Sequence, residues 1–107
     1  RPPFINHNES MHQTIGHTFI CGVGCEDWVP ERTAQERYDI LINTLKDGDI
    51  VLLHDLQGND NTVEALKMLI PEMKKQGYTF VTVTELYKRK GVSPEPHNGV
   101  IYSNVLQ

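Results

Sequence analysis

The chain has 107 residues and a mass of 12.2 kDa, which is enough for one small domain. Its 14 acidic and 10 basic residues give a net charge of -4. This balance argues against nucleic acid as the main partner, because phosphate binding needs a clustered excess of Lys and Arg. No apolar run approaches the roughly 20 residues of a membrane helix, so a membrane-spanning segment is not expected either.

The first residues and the two cysteines carry further information. The chain opens Arg1-Pro2-Pro3-Phe4, without an initiator Met or a signal peptide, and we therefore expect it to be processed or cut. Cys21 and Cys25 lie about 13 Å apart if both are on one extended strand. A disulfide needs Cα atoms roughly 4.4–6.8 Å apart, so two free thiols are expected.

The first half of the chain predicts two strands around a helix. Residues 18–23 form a short apolar segment that is typical of a strand. A helix then follows a capping box of Thr33 and Glu36, with apolar positions spaced as one helical face and Gly48 as its stop. Residues 49–53 are an unbroken apolar run, as in a strand that is covered on both faces of a parallel sheet.

The second half repeats the alternation. Asn61-Thr62 opens a helix with Val63, Leu66, Ile70 and Met73 on one face, and Pro71 should kink or split it. Residues 78–83 predict a third strand, followed by a short helix capped by Thr84 and a loop over 91–99. Residues 100–107 predict a return strand or a docked tail. The order indicates an α/β fold with parallel strands, whose open edges suggest part of something larger.

Acidic and imidazole groups follow two of the predicted strands. Asp27 lies just beyond the first strand, and His54 lies at the end of the second. Parallel strands joined by a crossover helix end at the same sheet edge, where α/β folds place their active sites. A carboxylate beside an imidazole there is a general acid/base arrangement, because the carboxylate fixes the tautomer. A His54 that merely caps its strand by a backbone hydrogen bond is the alternative.

Three motifs carry a family resemblance: Arg1-Pro2-Pro3-Phe4, Asp27-Trp28 and Ile50-Val51-Leu52-Leu53-His54-Asp55. In this order they resemble the last three motifs of the polysaccharide deacetylases, which have the NodB-homology fold and are also called carbohydrate esterase family 4. Residues 61–66 and 75–83 are similar to the closing helix and strand of that family, so the resemblance covers residues 1–86. Residues 25–28 and 55–59 look most like clostridial acetylxylan esterases.

The resemblance implies catalytic roles for three residues. His54 would be the general acid that protonates the leaving oxygen or nitrogen. Asp27 would orient and tune His54. Arg1 would match the arginine that holds the aspartate acting as catalytic base in the family.

Three further residues are implied in the oxyanion hole and the acetyl pocket. Phe4 stands where the family usually has Tyr, and its backbone N–H would form part of the oxyanion hole. Trp28 and Leu52 would form the walls of the slot for the acetyl methyl group, with ordinary packing as the alternative for Trp28. Ile5 replaces the glycine common after the first motif, which puts the local shape of that loop in question.

Two earlier family motifs, an Asp-Asp pair and a His-x-x-x-His that supply the base and the metal ligands, are not present in this sequence. The resemblance therefore implies the C-terminal half of a distorted (β/α) barrel, without metal ligands of its own. A divalent ion such as zinc or cobalt would be held by the N-terminal half, which belongs to another chain or to sequence outside this one. The half-domain would span residues 1–91, with a loop and tail over 92–107, and it would be inactive alone.

The implied function is removal of acetyl groups from a polysaccharide by a secreted enzyme, with acetylxylan favoured. An N-deacetylase of chitin or peptidoglycan remains open, because both reactions need the same acid. A catalytically inactive carbohydrate-binding homologue remains open as well, and so does a scaffold fragment without a site.

Three histidines and a polar turn lie outside these motifs. His7, His12 and His17 recur every five residues, a step that does not share a helix face, so we expect solvated surface side chains and no metal cluster. The turn Asn59-Asp60-Asn61 is a candidate border of the sugar groove.

Overall fold

The computed structural model describes all 107 residues, Arg1–Gln107. The chain divides into two compact units by its internal contacts. The first unit contains Arg1–Gly22, Gly48–Ile50 and Val81–Gln107, and the second contains Val23–Asp47 and Val51–Phe80. No helix in either unit combines the length and the apolar character needed to cross a membrane.

The first unit joins short strands to two helices. A 3-10 turn at Pro3–Ile5 precedes helix α1, Glu9–Ile15, whose N-cap Asn8 accepts a hydrogen bond from the Met11 N–H. Strand β1, Phe19–Ile20, pairs in parallel with strand β2, Ile101–Tyr102. The core of this unit consists of Ile50, Tyr87, Tyr102 and Val105. The predicted return strand at 100–107 is therefore confirmed, whereas helix α1 was not predicted.

The second unit is built on two helices that pack against each other. Helix α2 spans Ala34–Thr44 and begins with the predicted capping box of Thr33 and Glu36. Helix α3 spans Asp60–Lys75 and packs on α2. The core of the second unit consists of Cys25, Leu41, Leu45, Leu69 and Met73. Both cysteines of the chain are free thiols, as predicted.

Helix α3 differs from its prediction in two ways. Its buried positions are Thr62, Ala65, Leu69 and Met73, so the predicted face was wrong in part, and Val63 is 52% exposed. Pro71 neither splits nor ends the helix, because residue 71 and residue 67, whose carbonyl loses its partner, both lie on the exposed side.

The predicted strands are shorter than expected. The segment 18–23 contributes only Phe19–Ile20, and the run 49–53 contributes isolated bridges at Asp49 and Val51. Residues 78–82 form no strand, and Val83 is already helical, so the third strand was wrong.

The last helix, α4, spans Val83–Lys90 in the first unit, and its N-cap is Thr82 rather than Thr84. The Thr82 hydroxyl accepts from the Glu85 N–H at 3.2 Å, because Thr-x-x-Glu fits the start of a helix at this register.

Candidate active site

A parallel bridge in the second unit places the segments that carry Asp27 and His54. Val23 and Val51 pair in parallel, and the Leu52 N–H donates to the Val23 carbonyl at 2.9 Å. The backbones approach so closely that a Cβ atom on Gly24 would lie 2.7 Å from the Leu52 carbonyl oxygen, which explains why glycine stands there. The chain after each segment therefore leaves the same edge, as the sequence predicted.

Asp27 and His54 are in direct contact through two hydrogen bonds. The His54 Nδ1 atom lies 2.8 Å from Asp27 Oδ1, and the His54 backbone N–H donates to Asp27 Oδ2, also at 2.8 Å. The side chain of Asp27 is 2% exposed, and that of His54 is 40% exposed. Because an ionised carboxylate can only accept, Nδ1 carries the proton, and Nε2 is left for exchange with a substrate.

Two side chains of the second unit donate to the remaining oxygen of Asp27. The Thr62 hydroxyl donates to Oδ2 at 2.9 Å, and the Asn59 amide donates to the same oxygen at 3.2 Å and to the His54 carbonyl at 2.8 Å. Burial raises the pKa of Asp27, but the hydrogen bonds from His54 and Thr62 outweigh it, so that the pKa lies below its ordinary value. The carboxylate is therefore kept ionised beside the imidazole.

A buried arginine lies behind this pair. Arg37 on α2 is 2% exposed, and its guanidinium donates to the Asp27 carbonyl, to Asn59 Oδ1 and to Thr62 Oγ1. It also donates to the Arg32 and Val29 carbonyls at 2.9 and 3.1 Å. Arg37 was not predicted as a site residue, although its position four residues before Leu41 places it on the buried face of the predicted helix.

Asp27 and His54 adjoin a cavity of about 210 Å³. Its lining residues are Gly24, Glu26, Asp27, Trp28, Leu52 and His54. Trp28 is 62% exposed, so its indole is available to a ligand. Glu26 has a φ of 52°, a left-handed conformation that is uncommon outside glycine and that occurs preferentially at functional sites. The cavity brings the apolar side chains of Trp28 and Leu52 next to the imidazole of His54, which suits a small acyl group beside a proton donor.

Two predicted site residues, Arg1 and Phe4, belong to the first unit. The Arg1 Nε atom donates to the Cys21 carbonyl at 2.9 Å. Phe4 is fully exposed and has a φ of 54°, and Ile5 has a φ of 55°. The loop thus adopts a left-handed conformation that suits glycine, although Ile5 is β-branched and strained there.

One histidine of the first unit, His12, departs from its prediction. His12 is 1% exposed and stacks on Phe19, with ring centroids 4.1 Å apart, so its assignment to the solvated surface was wrong. Its Nε2 atom lies 2.9 Å from His7 Nδ1, while His17 is exposed, as predicted. No group of three or more His, Cys, Asp or Glu side chains in the chain has a geometry that could hold a metal ion.

The chain is similar to curated deacetylases. It is 49% identical over 105 residues to a bifunctional xylanase/deacetylase of Pseudobutyrivibrio xylanivorans, an alignment that covers 98% of this chain and 17% of that protein. It is 35% identical over 91 residues to a peptidoglycan-N-acetylglucosamine deacetylase of Listeria monocytogenes, with 84% and 19% coverage. No family model matches the chain.

Two solved structures share its fold. One is the Xyl-CE4 domain of a multidomain xylanase from the hindgut metagenome of Trinervitermes trinervoides, with a TM-score of 0.89 and 45% identity. The other is a family 4 acetyl xylan esterase of Clostridium thermocellum in complex with a cobalt ion, with a TM-score of 0.90 and 37% identity.

The alignments to the two solved structures cover 99% and 100% of this chain, but only 51% and 53% of the chains that it matches. It therefore spans about half of such a domain, and a smaller share of the curated relatives. The mixture of helices and short parallel strands agrees with a partial α/β barrel of this type. By sequence and by structure, the chain belongs to carbohydrate esterase family 4, the NodB-homology deacetylases.

Proposed function

We propose that this chain is the C-terminal half, over residues 1–91, of a secreted carbohydrate esterase that removes acetyl groups from a polysaccharide, most favourably acetylxylan. The loop and tail over 92–107 follow it in the chain, and the tail packs back on it through strand β2, which pairs with β1. The proposal depends on one observation: the His54 imidazole is held by the buried Asp27 carboxylate at 2.8 Å beside a cavity that Trp28 and Leu52 line. The similarity to a xylanase/deacetylase and to an acetyl xylan esterase supports the substrate class.

His54 acts as the general acid. Its Nδ1–H donates to Asp27, so a second proton on Nε2 is the one that the leaving sugar oxygen receives as its bond to the acetyl carbon breaks. Asp27 stabilises the imidazolium form and holds the ring in one orientation. Trp28 and Leu52 line the cavity and enclose the methyl group of the acetyl substituent.

The other proposed roles belong to Arg1 and Phe4 in the first unit. The Phe4 backbone N–H would stabilise the oxyanion of the tetrahedral intermediate, and the replacement of Tyr by Phe leaves that N–H in place. Arg1 would hold the aspartate that serves as base. A divalent ion would supply the activated water. We assign the ligands of that ion to the N-terminal half, on this or another chain, because the two family motifs that supply them are not present in this sequence.

The test uses the complete domain, that is, this chain together with the half-domain that it does not span. His54→Ala should lower kcat for acetate release about 10²- to 10⁴-fold, the usual contribution of a positioned acid. His17→Ala, a second exposed histidine, serves as the matched control and should leave kcat unchanged. A loss below threefold in His54→Ala would remove this residue from the mechanism.

An amide substrate is the second candidate, because the chain is also similar to a peptidoglycan-N-acetylglucosamine deacetylase. Acetate release from acetylxylan and from chitin and peptidoglycan oligomers, measured side by side, separates ester from amide hydrolysis. Binding of these sugars without acetate release from any of them would indicate an inactive carbohydrate-binding homologue instead.

A further inference from the structure

Asp27 and Arg37 are opposite charges buried in the second unit, yet no direct bond joins the guanidinium to the carboxylate. Both side chains are 2% exposed. The guanidinium instead donates to Thr62 Oγ1 at 2.9 Å, and the Thr62 hydroxyl donates to Asp27 Oδ2 at 2.9 Å. A parallel route runs through Asn59, which accepts from Arg37 with Oδ1 and donates to Asp27 Oδ2 with Nδ2. Two neutral side chains thus connect the two charges.

The direction of these hydrogen bonds follows from chemistry. An arginine can only donate, so the oxygens of Thr62 and Asn59 must accept from it. The hydroxyl proton of Thr62 and one amide proton of Asn59 are then directed to the carboxylate, while the second amide proton goes to the His54 carbonyl. Because both protons go to Oδ2, the other oxygen of Asp27 is left for the imidazole of His54.

Arg37 also carries the charge that offsets Asp27. A carboxylate alone in a buried site strongly favours an imidazolium beside it, and this makes the imidazole a weaker acid. A cation two hydrogen bonds behind the carboxylate opposes this effect. Since Brønsted behaviour relates acid strength to catalytic rate, offsetting the carboxylate preserves the ability of His54 to release its proton.

We propose that Arg37 is a positioning residue for His54, which orients Thr62 and Asn59 toward one oxygen of Asp27 and offsets the charge of that carboxylate. The inference rests on the proposed role of His54 as general acid.

Few other titratable groups surround this site. The buried thiol of Cys25 lies close enough that Asp27 contributes to raising its pKa, after burial, while Arg37 opposes this. Glu26 lines the cavity and pairs with Arg32 at 3.2 Å, where both side chains are partly exposed. Arg32 and Glu26 neutralise each other and are partly screened by solvent, so the buried cation and carboxylate dominate at His54.

The test compares kcat and its pH dependence after the loss of one positive charge, at the buried Arg37 and at the partly exposed Arg32, in the complete domain. Arg37→Gln should lower kcat about tenfold and move the alkaline limb of the pH–rate profile to higher pH. Arg37→Lys keeps the charge and should leave the limb in place. Arg32→Gln removes the same charge from a partly exposed position, where Glu26 already pairs with it, and should move the limb little.

The sign of the shift separates the proposal from a merely structural role. If Arg37 served only to hold the fold, its loss would loosen the contact between Asp27 and His54, and the limb would move to lower pH. A downward shift, or an unchanged limb and kcat, in a folded Arg37→Gln variant overturns the proposal. An upward shift of similar size in Arg32→Gln would overturn it as well.

A second pair of variants tests the proton direction if Arg37→Gln does not fold. Thr62→Val keeps the shape of the side chain but removes the hydroxyl that donates a hydrogen bond to Asp27. It should lower kcat about tenfold. Thr62→Ser retains the hydroxyl and should stay within threefold of the wild type. Equal kcat values in both variants and in the wild type would overturn the proposal.

The His54 ring can be followed by NMR, with a His54→Gln variant to assign its resonances. The midpoint of the His54 titration should rise in Arg37→Gln and stay in place in Arg32→Gln. This measurement needs no turnover, so it decides the role of Arg37 even if the complete domain releases no acetate. Conversely, active enzyme with an unmoved midpoint would reject this inference and leave the proposed function standing.

Discussion

Each unit holds a histidine against other side chains, but the two surroundings differ. In the second unit, each polar group of Asp27, Thr62 and Arg37 meets a partner, and an ionised carboxylate orients the imidazole of His54. In the first unit, His12 is more deeply buried, its ring meets the ring of His7 and stacks on Phe19, and its Nδ1 atom has no hydrogen-bond partner. A buried imidazole is thus set up for proton transfer only where a charged partner and an open side coexist.

The largest expected effect comes from removing the negative charge of Asp27, which accepts hydrogen bonds from His54 and Thr62. Asp27→Asn should lower kcat of the complete domain about 10²- to 10⁴-fold, because the amide can donate to Nδ1 and so favours the wrong tautomer. Asp39→Asn, at an exposed position of α2, is the control and should keep full activity. Steady-state acetate release measures both, and a folded Asp27→Asn enzyme with normal kcat would contradict the role of the carboxylate.

The same substitution in both clusters sharpens the contrast in stability. Asp27→Leu leaves Thr62, Asn59 and His54 without their acceptor and the buried Arg37 without its counter-charge. It should lower the free energy of unfolding by about 3 kcal/mol or more. His12→Leu removes an unsatisfied buried nitrogen and should change this free energy by less than about 1 kcal/mol. Urea denaturation of the complete domain measures both, and similar losses would show that the two clusters are equivalent.

A smaller effect is expected in acid. Because the folded pKa of Asp27 lies below its ordinary value, its ionised form stabilises the fold. That contribution is fully present above the unfolded value of about 3.9 and is lost as the pH falls through the folded value. The difference in urea midpoint between wild type and Asp27→Asn should therefore shrink as the pH is lowered from about 5 to 2. A difference in urea midpoint that stays constant over this pH range would contradict a stabilising role for the ionised Asp27 carboxylate.

Local sequence signals predicted those features that depend on neighbouring residues. The capping box of Thr33 and Glu36 fixes the start of α2, because both of its hydrogen bonds are made within one turn. Segment order was also sufficient to bring Asp27 and His54 together, since parallel segments end at the same edge.

Other features depend on partners that are distant in sequence. A strand exists only where a neighbour completes its hydrogen bonds, so residues 78–82 read as a strand by composition but form none within this chain. The buried face of α3 is shifted from the predicted one, because Thr62 is drawn inward by its bond to Asp27, 35 residues away.

The start of α2, the family and the pairing of an acid with an imidazole follow from the sequence alone, because capping, motif order and strand direction are local or topological properties. Only the tertiary structure decided that Arg37, Thr62 and Asn59 surround Asp27, and that His12 is buried. The physical reason is that a polar residue is stable in the interior only when distant partners satisfy it or an aromatic ring covers it, and no spacing along the chain encodes those partners.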